Sequence, residues 1–307
     1  MHDRILITGG TGLIGQGIVQ RLRAAGHALK ILTRDAPRQA ATRTDPGIEY
    51  VAWNPHAGEL APNALEGVTA VVHLAGAPVA QRWTPAAKRA ILASRVESTA
   101  LLHQHMAQLP ADLRPRVCVS ASAIGIYPSS DAWLNEESAP GDGFAADVVR
   151  QWEAGMEAIE ALGVRTVRIR IGLVLSANGG MLGRLLPLFK LGMGSPVGDG
   201  NQWQSWVHHA DVERMIIWAL STETVRGAFN ATAPNPVSNA ELSKHIARAC
   251  HRPYWAPRVP VWALKWAFGE MASIVLASQR VSCQRALDQG FTFDYPEIES
   301  ALNDLLC

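Results

Sequence analysis

The sequence has 307 residues, of which 48% are hydrophobic and 18% are charged, and its formal net charge is +1. A chain of this size can bury a substantial core, either as one large domain or as a domain with an appended lobe. The near balance of 28 basic and 27 acidic residues gives no electrostatic argument for nucleic acid or an anionic membrane as a partner, so any anionic ligand must be held by a local set of donors.

Along the first two thirds of the chain, short β-branched and apolar runs alternate with longer helix-like stretches. This alternation predicts an α/β fold with a doubly wound parallel sheet. The predicted strands are 4–8, 29–33, 48–53, 70–74, 116–121 and 164–170, and the main predicted helices are 13–25, 85–109 and 144–162.

Beyond about residue 176 glycine-rich loops and several prolines interrupt the pattern, although a helix over 211–220 and a late strand over 227–231 are still predicted. We therefore expect a first, Rossmann domain over residues 1–175. A smaller mixed lobe over 176–307 is expected to be interleaved with the end of the sheet.

The N-terminus and the cysteines predict a cytoplasmic protein. The first ten residues run directly into an apolar strand, without the features of a secretory signal. The most apolar stretch, from Val259 to Ala277, is interrupted by Lys265, Gly269 and Glu270 before it reaches the length of a membrane span. The four cysteines lack C-x-x-C spacing and indicate neither a disulfide framework nor a metal site.

A glycine-rich turn, Gly9-x-x-Gly12-x-x-Gly15, follows the first strand and opens the first helix. Glycines at this spacing allow a sharp turn, the approach of a pyrophosphate to the backbone and close packing of helix on strand. The amides at the start of the helix would point at the phosphates. The turn therefore predicts a dinucleotide site.

The end of the second strand bears on the choice between NAD and NADP(H). An acidic residue there accepts a hydrogen bond from the ribose 2′-hydroxyl of NAD. Thr33 takes that position and Arg34 follows, with Arg38 and Arg43 nearby. A hydroxyl and a guanidinium suit a 2′-phosphate, so NADP(H) is the prediction. Asp35 would restore NAD if it were the acidic residue displaced by one position.

Further motifs follow in the order of a known family. With the glycine turn, His73-Leu74-Ala75-Gly76 and Ser120-Ala121-Ser122, the chain resembles the extended short-chain dehydrogenase/reductase superfamily, which includes nucleotide-sugar epimerases. It is most similar to the YfcH-like epimerase-family branch, sometimes labelled SulA-type cell-division inhibitors, over essentially the whole chain, including a segment at about 250–300 that is peculiar to the branch. The motifs that carry this narrower resemblance are Arg82-Trp83-Thr84, Ser94-Arg95, Ala123-Ile124-Gly125-Ile126-Tyr127, Trp152-Glu153, Trp203-Gln204-Ser205-Trp206-Val207-His208, Asn239-Ala240-Glu241, Gly269-Glu270-Met271 and Ala277-Ser278-Gln279-Arg280-Val281.

The resemblance implies that NADP(H) binds across the first strands. Arg95 stands where related enzymes often have an asparagine on the cofactor-side helix; it would reach the cofactor or form a structural ion pair. The other implied contacts are Gly9, Gly12, Leu13, Ile14 and Gly15 for the pyrophosphate, Thr33 and Arg34 for the 2′-phosphate, and Leu74, Ala75 and Gly76 for the adenosine-side ribose and chain.

The chain departs from the superfamily in its chemistry. Related enzymes use Tyr-x-x-x-Lys, in which the lysine lowers the tyrosine pKa so that the phenol can pass a proton while a hydride moves. No such pair occurs here, and the expected window, 144–153, contains neither tyrosine nor lysine.

Substitutes for that pair each have a structural alternative. Ser122 and Tyr127 are the catalytic candidates, although Tyr127 would equally serve as a packed aromatic residue. Glu153 is either a base or a solvated carboxylate. Trp206 is expected to face a substrate or to pack in the core, and Asp211 to cap the helix that it opens rather than to bind a metal.

The leading hypothesis is an NADP(H)-dependent oxidoreductase or epimerase-like enzyme with a small substrate, such as a nucleotide sugar or a carbonyl compound. The alternative is an NADP(H)-binding regulatory or sensor protein with little turnover, which the missing Tyr-x-x-x-Lys pair favours. No residue motif supports a third hypothesis, binding to the division machinery.

Overall fold

The computed structural model describes residues 3–42 and 45–306, which fold into an α/β structure with helices on both faces of a large sheet. The strands are β1 (Arg4–Thr8), β2 (Ala28–Thr33), β3 (Ile48–Asn54), β4 (Glu59–Leu60), β5 (Ala70–His73), β6 (Val117–Ala123), β7 (Ser130–Leu134), β8 (Arg165–Ile171), β9 (Leu173–Leu175), β10 (Trp203–Gln204), β11 (Trp206–His208), β12 (Gly227–Ala231), β13 (Val237–Ser238) and β14 (Gln279–Val281). The α-helices are α1 (Leu13–Ala24), α2 (Ala36–Thr42), α3 (Pro85–Gln108), α4 (Phe144–Glu160), α5 (Gly180–Lys190), α6 (His209–Ser221), α7 (Asn239–Ala249), α8 (Val261–Phe268), α9 (Ala272–Leu276), α10 (Gln284–Asp288) and α11 (Ile298–Leu306).

The large sheet has the order β12-β8-β6-β5-β1-β2-β3-β4. Neighbouring strands are parallel except for the antiparallel pair β3 and β4. From β1 the chain first builds outward through β2 and β3, and then returns to the other side of β1 with β5. Open α/β sheets bind their ligands at such a switch point, at the carboxyl ends of the strands. The predicted doubly wound sheet is confirmed.

Two apolar layers hold the helices on the sheet because alternate strand residues face opposite sides. One layer joins the strands to α1 and α6 through buried side chains such as Ile18 and Met215. The other joins them to α3 and α4 through Leu102 and Met156. This packing fixes the first turn of α1, and the sides of α3 and α4 that face each other, at one edge of the sheet.

The C-terminal part of the chain is divided between the sheet and a smaller lobe. β12 pairs with β8 at the edge of the large sheet, while β7 pairs with β14, β9 with β11 and β10 with β13. The sheet therefore takes a strand from beyond residue 175, and the domain boundary at that residue stays a prediction. Among the described residues, no helix is long and apolar enough to cross a membrane.

One local prediction is wrong. Asp211 does not cap a helix, because α6 already begins at His209 and the His208 side chain accepts a hydrogen bond from the Ala210 amide. The buried Asp211 carboxylate instead accepts from the amides of Asp294 and Tyr295, at 2.8 and 3.0 Å, and so holds the C-terminal segment on α6.

Candidate cofactor and active site

Two glycines of the turn are required by the fold itself. Gly9 has a φ of +69°, and a Cβ placed there would lie 2.8 Å from the carbonyl carbon and oxygen of Leu74. A Cβ at Gly15 would lie 2.2 Å from the Gly9 carbonyl oxygen. Any larger residue would push α1 away from the sheet, so close packing alone already requires glycine at these two positions.

Gly12 is different, because its own conformation does not require glycine. It is exposed, and its φ of −79° and ψ of 176° are ordinary extended backbone. A Cβ there would meet only the Gly9 carbonyl oxygen, at 3.2 Å. Gly12 precedes α1, and no side-chain oxygen caps the helix at that point. The turn thus presents an open backbone beside an uncapped helix N-terminus, which suits a phosphate group.

A buried polar chain fixes the segment that faces this turn. The Thr8 hydroxyl accepts hydrogen bonds from the amides of Leu74 and Ala75, both at 3.0 Å, and lies 2.8 Å from Nδ1 of His73. On its other side, Nε2 of His73 is 3.0 Å from the Thr99 hydroxyl on α3. Burial, with the nearby Arg95 charge, lowers the His73 pKa to about 4, so the ring is neutral at pH 7 and can serve in this chain.

The predicted 2′-phosphate residues lie at the end of β2. The Thr33 hydroxyl accepts from the Asp35 amide at 3.3 Å. Arg34 is exposed and lines a surface cavity of about 510 Å³, together with Trp53 and His105. The Asp35 side chain is also exposed, so the alternative of an acidic residue toward a ribose stays open. Arg43 lies outside the described residues.

Arg95 lies under the segment that follows β5. Its Nη1 donates to the carbonyl oxygens of Ala77 and Ile91, at 3.2 and 3.0 Å, and its guanidinium carbon is 5.1 Å from the centre of a Trp152 ring. A Cβ on Gly76 would lie 3.0 Å from the guanidinium carbon. Burial lowers the Arg95 pKa to about 10, with no carboxylate to oppose it. The structural ion pair considered for Arg95 is absent from the described residues.

Trp152 adds an unused donor to the same place. Its side chain is 5% exposed, and its indole nitrogen is buried without a hydrogen-bond partner among the described residues. A buried donor without a partner costs about 1–3 kcal/mol, so native proteins rarely retain one. A bound group at this position would supply the missing acceptor.

Three polar residues stand side by side at the carboxyl ends of β6, β8 and β12. Ser122 is in register with Arg170, and Arg170 is in register with Asn230. Both carboxylate oxygens of Glu153 accept from Arg170, at 2.9 and 2.8 Å, and one of them also accepts from the Ser122 hydroxyl at 2.6 Å. Glu153 is 6% exposed, so the expectation of a solvated carboxylate is wrong.

Tyr127 belongs to the same buried group. Its hydroxyl donates to the Asn230 side chain at 2.8 Å and accepts from Arg170 at 2.9 Å. Burial raises the Tyr127 pKa, and the Arg170 charge only partly opposes this. The geometry gives Tyr127 the role of a packed, hydrogen-bonded aromatic residue and not that of an acid.

Electrostatic interactions with Arg170 keep Glu153 in its ionised form. Burial alone would raise the Glu153 pKa, but the hydrogen bonds and charge of Arg170, helped by Ser122, outweigh it and hold that pKa below its usual range. Glu153 is therefore a carboxylate that holds the Ser122 hydroxyl hydrogen, and it can act as a proton acceptor.

The expected substrate residue lies elsewhere. Trp206 is fully buried, and its indole nitrogen donates to the Asn235 carbonyl oxygen at 3.0 Å. This corrects the expectation that Trp206 faces a substrate: the strand β11 turns its ring into the core of the C-terminal lobe.

Sequence reasoning missed Arg170 and Asn230. The available signal was the occurrence of three arginines, Arg165, Arg168 and Arg170, in one predicted strand, because charged residues at buried strand positions need a partner. Nothing in the sequence indicated which carboxylate would be that partner.

Comparisons with known proteins agree with this fold. A model of the NAD dependent epimerase/dehydratase family matches residues 5–231, and a domain of unknown function, DUF1731, matches residues 259–305. "Epimerase family protein SDR39U1 homolog, chloroplastic" of Arabidopsis thaliana is 39% identical over 98% of this chain and 86% of its own length. "Epimerase family protein YfhF" of Bacillus subtilis is 36% identical over 98% of this chain and 97% of its own length.

The crystal structure of human epimerase family protein SDR39U1 (isoform 2) with NADPH is similar over 99% of both chains, with a TM-score of 0.85 and 30% sequence identity. The narrower YfcH-like assignment stays a prediction. The chain belongs to the NAD-dependent epimerase/dehydratase family.

Proposed function

We propose that this protein binds NADP(H) at the glycine turn and transfers a hydride to or from a small substrate, such as a nucleotide sugar or another carbonyl compound. Gly12 carries the proposal, because its backbone angles do not require glycine and a Cβ would press only on the Gly9 carbonyl oxygen, at 3.2 Å, whereas the approach of a pyrophosphate requires an open backbone. The human relative that was solved with NADPH supports the choice of cofactor.

The residues present fit such a group. The open backbone at Gly12 and the uncapped start of α1 suit a pyrophosphate, and the unpartnered Trp152 donor suits a hydroxyl or carbonyl acceptor. In this proposal the binding residues are Gly9, Gly12, Leu13, Ile14 and Gly15 at the pyrophosphate, Thr33 and Arg34 at the 2′-phosphate, and Leu74, Ala75, Gly76 and Arg95 along the chain of the cofactor.

Arg95, stacked on Trp152, would supply a fixed positive charge at the site. In Tyr-x-x-x-Lys enzymes that charge comes from the lysine; here a guanidinium on α3 stacks on an indole of α4. Since Arg95 has no carboxylate partner within the described part of the chain, its charge is available to polar atoms of a ligand. Trp152 Nε1 would donate to the same ligand.

Ser122 and Glu153 would move the proton. A bound nicotinamide supplies or accepts the hydride. The Ser122 hydroxyl would take the proton of a substrate alcohol while its own hydrogen passes to Glu153 Oε1, over the 2.6 Å contact that already exists. Arg170 keeps Glu153 ionised, so that its carboxylate can receive the proton during oxidation of an alcohol; reduction follows the same path in reverse.

A regulatory or sensor role with little turnover is the second candidate. Ser122 is only 3% exposed and Tyr127 is committed to a buried hydrogen-bond network, so neither hydroxyl is openly presented to a substrate. This role requires the same cofactor site. The two functions therefore differ only in whether NADPH is consumed when carbonyl compounds or nucleotide sugars are added.

A graded series at Gly12 tests the binding proposal. Gly12→Ala and Gly12→Val should weaken NADPH binding progressively, the second by tenfold or more, because the added methyl groups occupy the space of the pyrophosphate. Thermal unfolding is the control, since α1 should remain folded in both variants. NADPH binding by Gly12→Val with the affinity of the wild type would contradict the proposal.

Turnover is tested with conservative substitutions at Ser122 and Glu153, and with a third at Tyr127 for comparison. Consumption of NADPH should fall strongly in Ser122→Ala and Glu153→Gln but little in Tyr127→Phe, while all three still bind NADPH. Equal losses in the three variants would mean that the buried network only supports the fold. Wild-type protein that binds NADPH but consumes none with any carbonyl compound would favour the sensor role.

A further inference from the structure

The segment from Trp255 to Ile274 carries an unusual amount of exposed apolar surface. Trp255, Trp262 and Trp266 are 72%, 73% and 80% exposed. Val261, Phe268 and Ile274 add further exposed apolar side chains to the same segment. Large contiguous apolar surfaces on a soluble fold mark contact with a partner or a membrane.

The exposure follows from the way in which α8 and α9 are held. Leu264 of α8 and Ala272 of α9 are buried, and so is Met271 in the turn between the helices, where it packs in a cluster with Trp83. Trp262 and Trp266 lie one turn apart on α8, so they share a face that is directed away from the buried Leu264. We call the surface defined by Trp262 and Trp266 the outward aromatic face.

The backbone around the face is fixed as well. The Val259 amide donates to the Pro196 carbonyl oxygen, and the Gly198 amide donates to the Val259 carbonyl oxygen, both at 2.9 Å. Glu270 forms an ion pair with Lys88 at the start of α3. These contacts attach the segment to the rest of the protein and leave its tryptophans outside.

Basic residues prevail among the chain neighbours of the outward aromatic face, and the acidic residue that follows them, Glu270, is paired with Lys88. Residues 242–269 contain no aspartate or glutamate, although the whole chain is nearly neutral. Within the described residues, the ion pairs of this stretch engage Arg248 and His245, both with Glu299. The basic residues of the stretch are Lys244, Arg248, Arg252, Arg258 and Lys265.

We infer that the outward aromatic face docks on the surface of an anionic lipid bilayer. Tryptophan favours the boundary between water and hydrocarbon, since its ring is apolar and its N–H remains able to bond. Basic side chains beside it are attracted to anionic lipid headgroups. Arg252, Arg258 and Lys265 have no ion pair within the described part of the chain, so their charges are available for that attraction.

Charge also argues against a second copy of the chain as the occupant. In a two-fold dimer the same patch contacts itself, so a surface that carries Arg258 and Lys265 would meet an equally basic surface of the second copy. Interface cores between proteins are depleted in charged residues, and lysine in particular. An anionic surface satisfies both the aromatic and the basic side chains. The contact is peripheral, consistent with the interruptions that keep this stretch from spanning a membrane.

Vesicle flotation tests the inference. The wild-type protein should float with vesicles of phosphatidylcholine and phosphatidylglycerol, less with phosphatidylcholine alone, and less again at high salt. The double variant Trp262→Ala/Trp266→Ala should lose tenfold or more in affinity, because burying one large apolar side chain contributes about 1.5–3 kcal/mol. The matched control is Trp133→Ala, which removes a 52% exposed tryptophan outside the face and should float like the wild type.

A charge variant separates the two contributions. Arg258→Gln/Lys265→Gln should weaken binding to phosphatidylglycerol vesicles about fivefold per charge and leave binding to phosphatidylcholine unchanged. The inference is overturned if wild-type protein does not float with anionic vesicles, or if the double tryptophan variant floats equally well. It is also overturned if sedimentation shows a dimer that dissociates in the double tryptophan variant while vesicles bind neither protein, since a second copy would then cover the face.

Discussion

The glycine turn and the outward aromatic face of α8 differ in how closely they pack against the rest of the protein. At the turn, backbone atoms from β1 and β5 approach so closely that Gly9 and Gly15 tolerate no side chain. On α8, the large side chains of Trp262 and Trp266 lie mostly in solvent, and Trp266 is 80% exposed. The comparison teaches that the first site is tied to the stability of the fold, whereas the second can be removed without disturbing the fold. The two regions should therefore respond very differently to substitution.

The largest effect is expected at the buried polar group beside the turn. Glu153→Ala leaves Arg170 as an uncompensated buried charge and should cost about 3–5 kcal/mol in the free energy of unfolding. The matched control is Glu157→Ala on the same helix, because the Glu157 carboxylate is 65% exposed in its ion pair with Arg168 and should cost less than about 1 kcal/mol. Urea unfolding measures both, and equal costs would contradict the account of the buried pair.

The next effect is a dependence of stability on pH that arises from His73. Burial lowers its pKa to about 4 in the folded protein, against a value of about 6.5 when unfolded. Between these values the unfolded chain binds a proton that the folded protein does not, so the stability contribution of this residue falls as pH falls. From pH 6.5 to pH 4 the loss should reach about 3 kcal/mol.

His73→Gln provides the control for this pH dependence. The variant should show a smaller fall in stability across the same pH range, whatever its stability at pH 7, because glutamine has no charge to gain. Urea unfolding at a series of pH values gives the two slopes. Identical slopes would show that the His73 pKa is not lowered by folding, and would contradict a neutral ring between the hydroxyls of Thr8 and Thr99.

A smaller effect, on binding, is expected from Arg95. Arg95→Met keeps the aliphatic stem over Trp152 but removes the charge, and should weaken NADPH binding about tenfold, since hydrogen bonds to charged groups contribute roughly 1.5–3 kcal/mol. Fluorescence titration measures it, with thermal unfolding to verify the fold. Unchanged affinity would remove Arg95 from the proposed cofactor site and return it to a structural role.

The smallest effect is expected at the outward aromatic face. Trp262→Ala/Trp266→Ala should change the free energy of unfolding by no more than about 1 kcal/mol, because surface substitutions away from buried contacts usually stay within about 0.5 kcal/mol each. A loss of several kcal/mol would show that these tryptophans pack on the protein in solution, and the contrast between the two regions would disappear.

The same contrast explains what could be predicted from the sequence. The strands, the long helices and the glycine turn were predicted because periodicity and backbone geometry constrain them locally. The partners of Glu153 could not be predicted, since Ser122 and Arg170 meet only when β6 and β8 are aligned. The apolar stretch around α8 was visible, but its orientation depended on the burial of Leu264 and Met271, which is a property of the folded lobe.

A titration of the wild type and Arg34→Ala with NADPH and NADH, followed by fluorescence, tests the central claim most directly. The account predicts that the wild type prefers NADPH and that the variant loses this preference through a drop of about tenfold or more in NADPH affinity, as expected for a charge-assisted hydrogen bond. If neither cofactor binds the wild-type protein, the glycine turn serves only the fold, and the proposed function is contradicted.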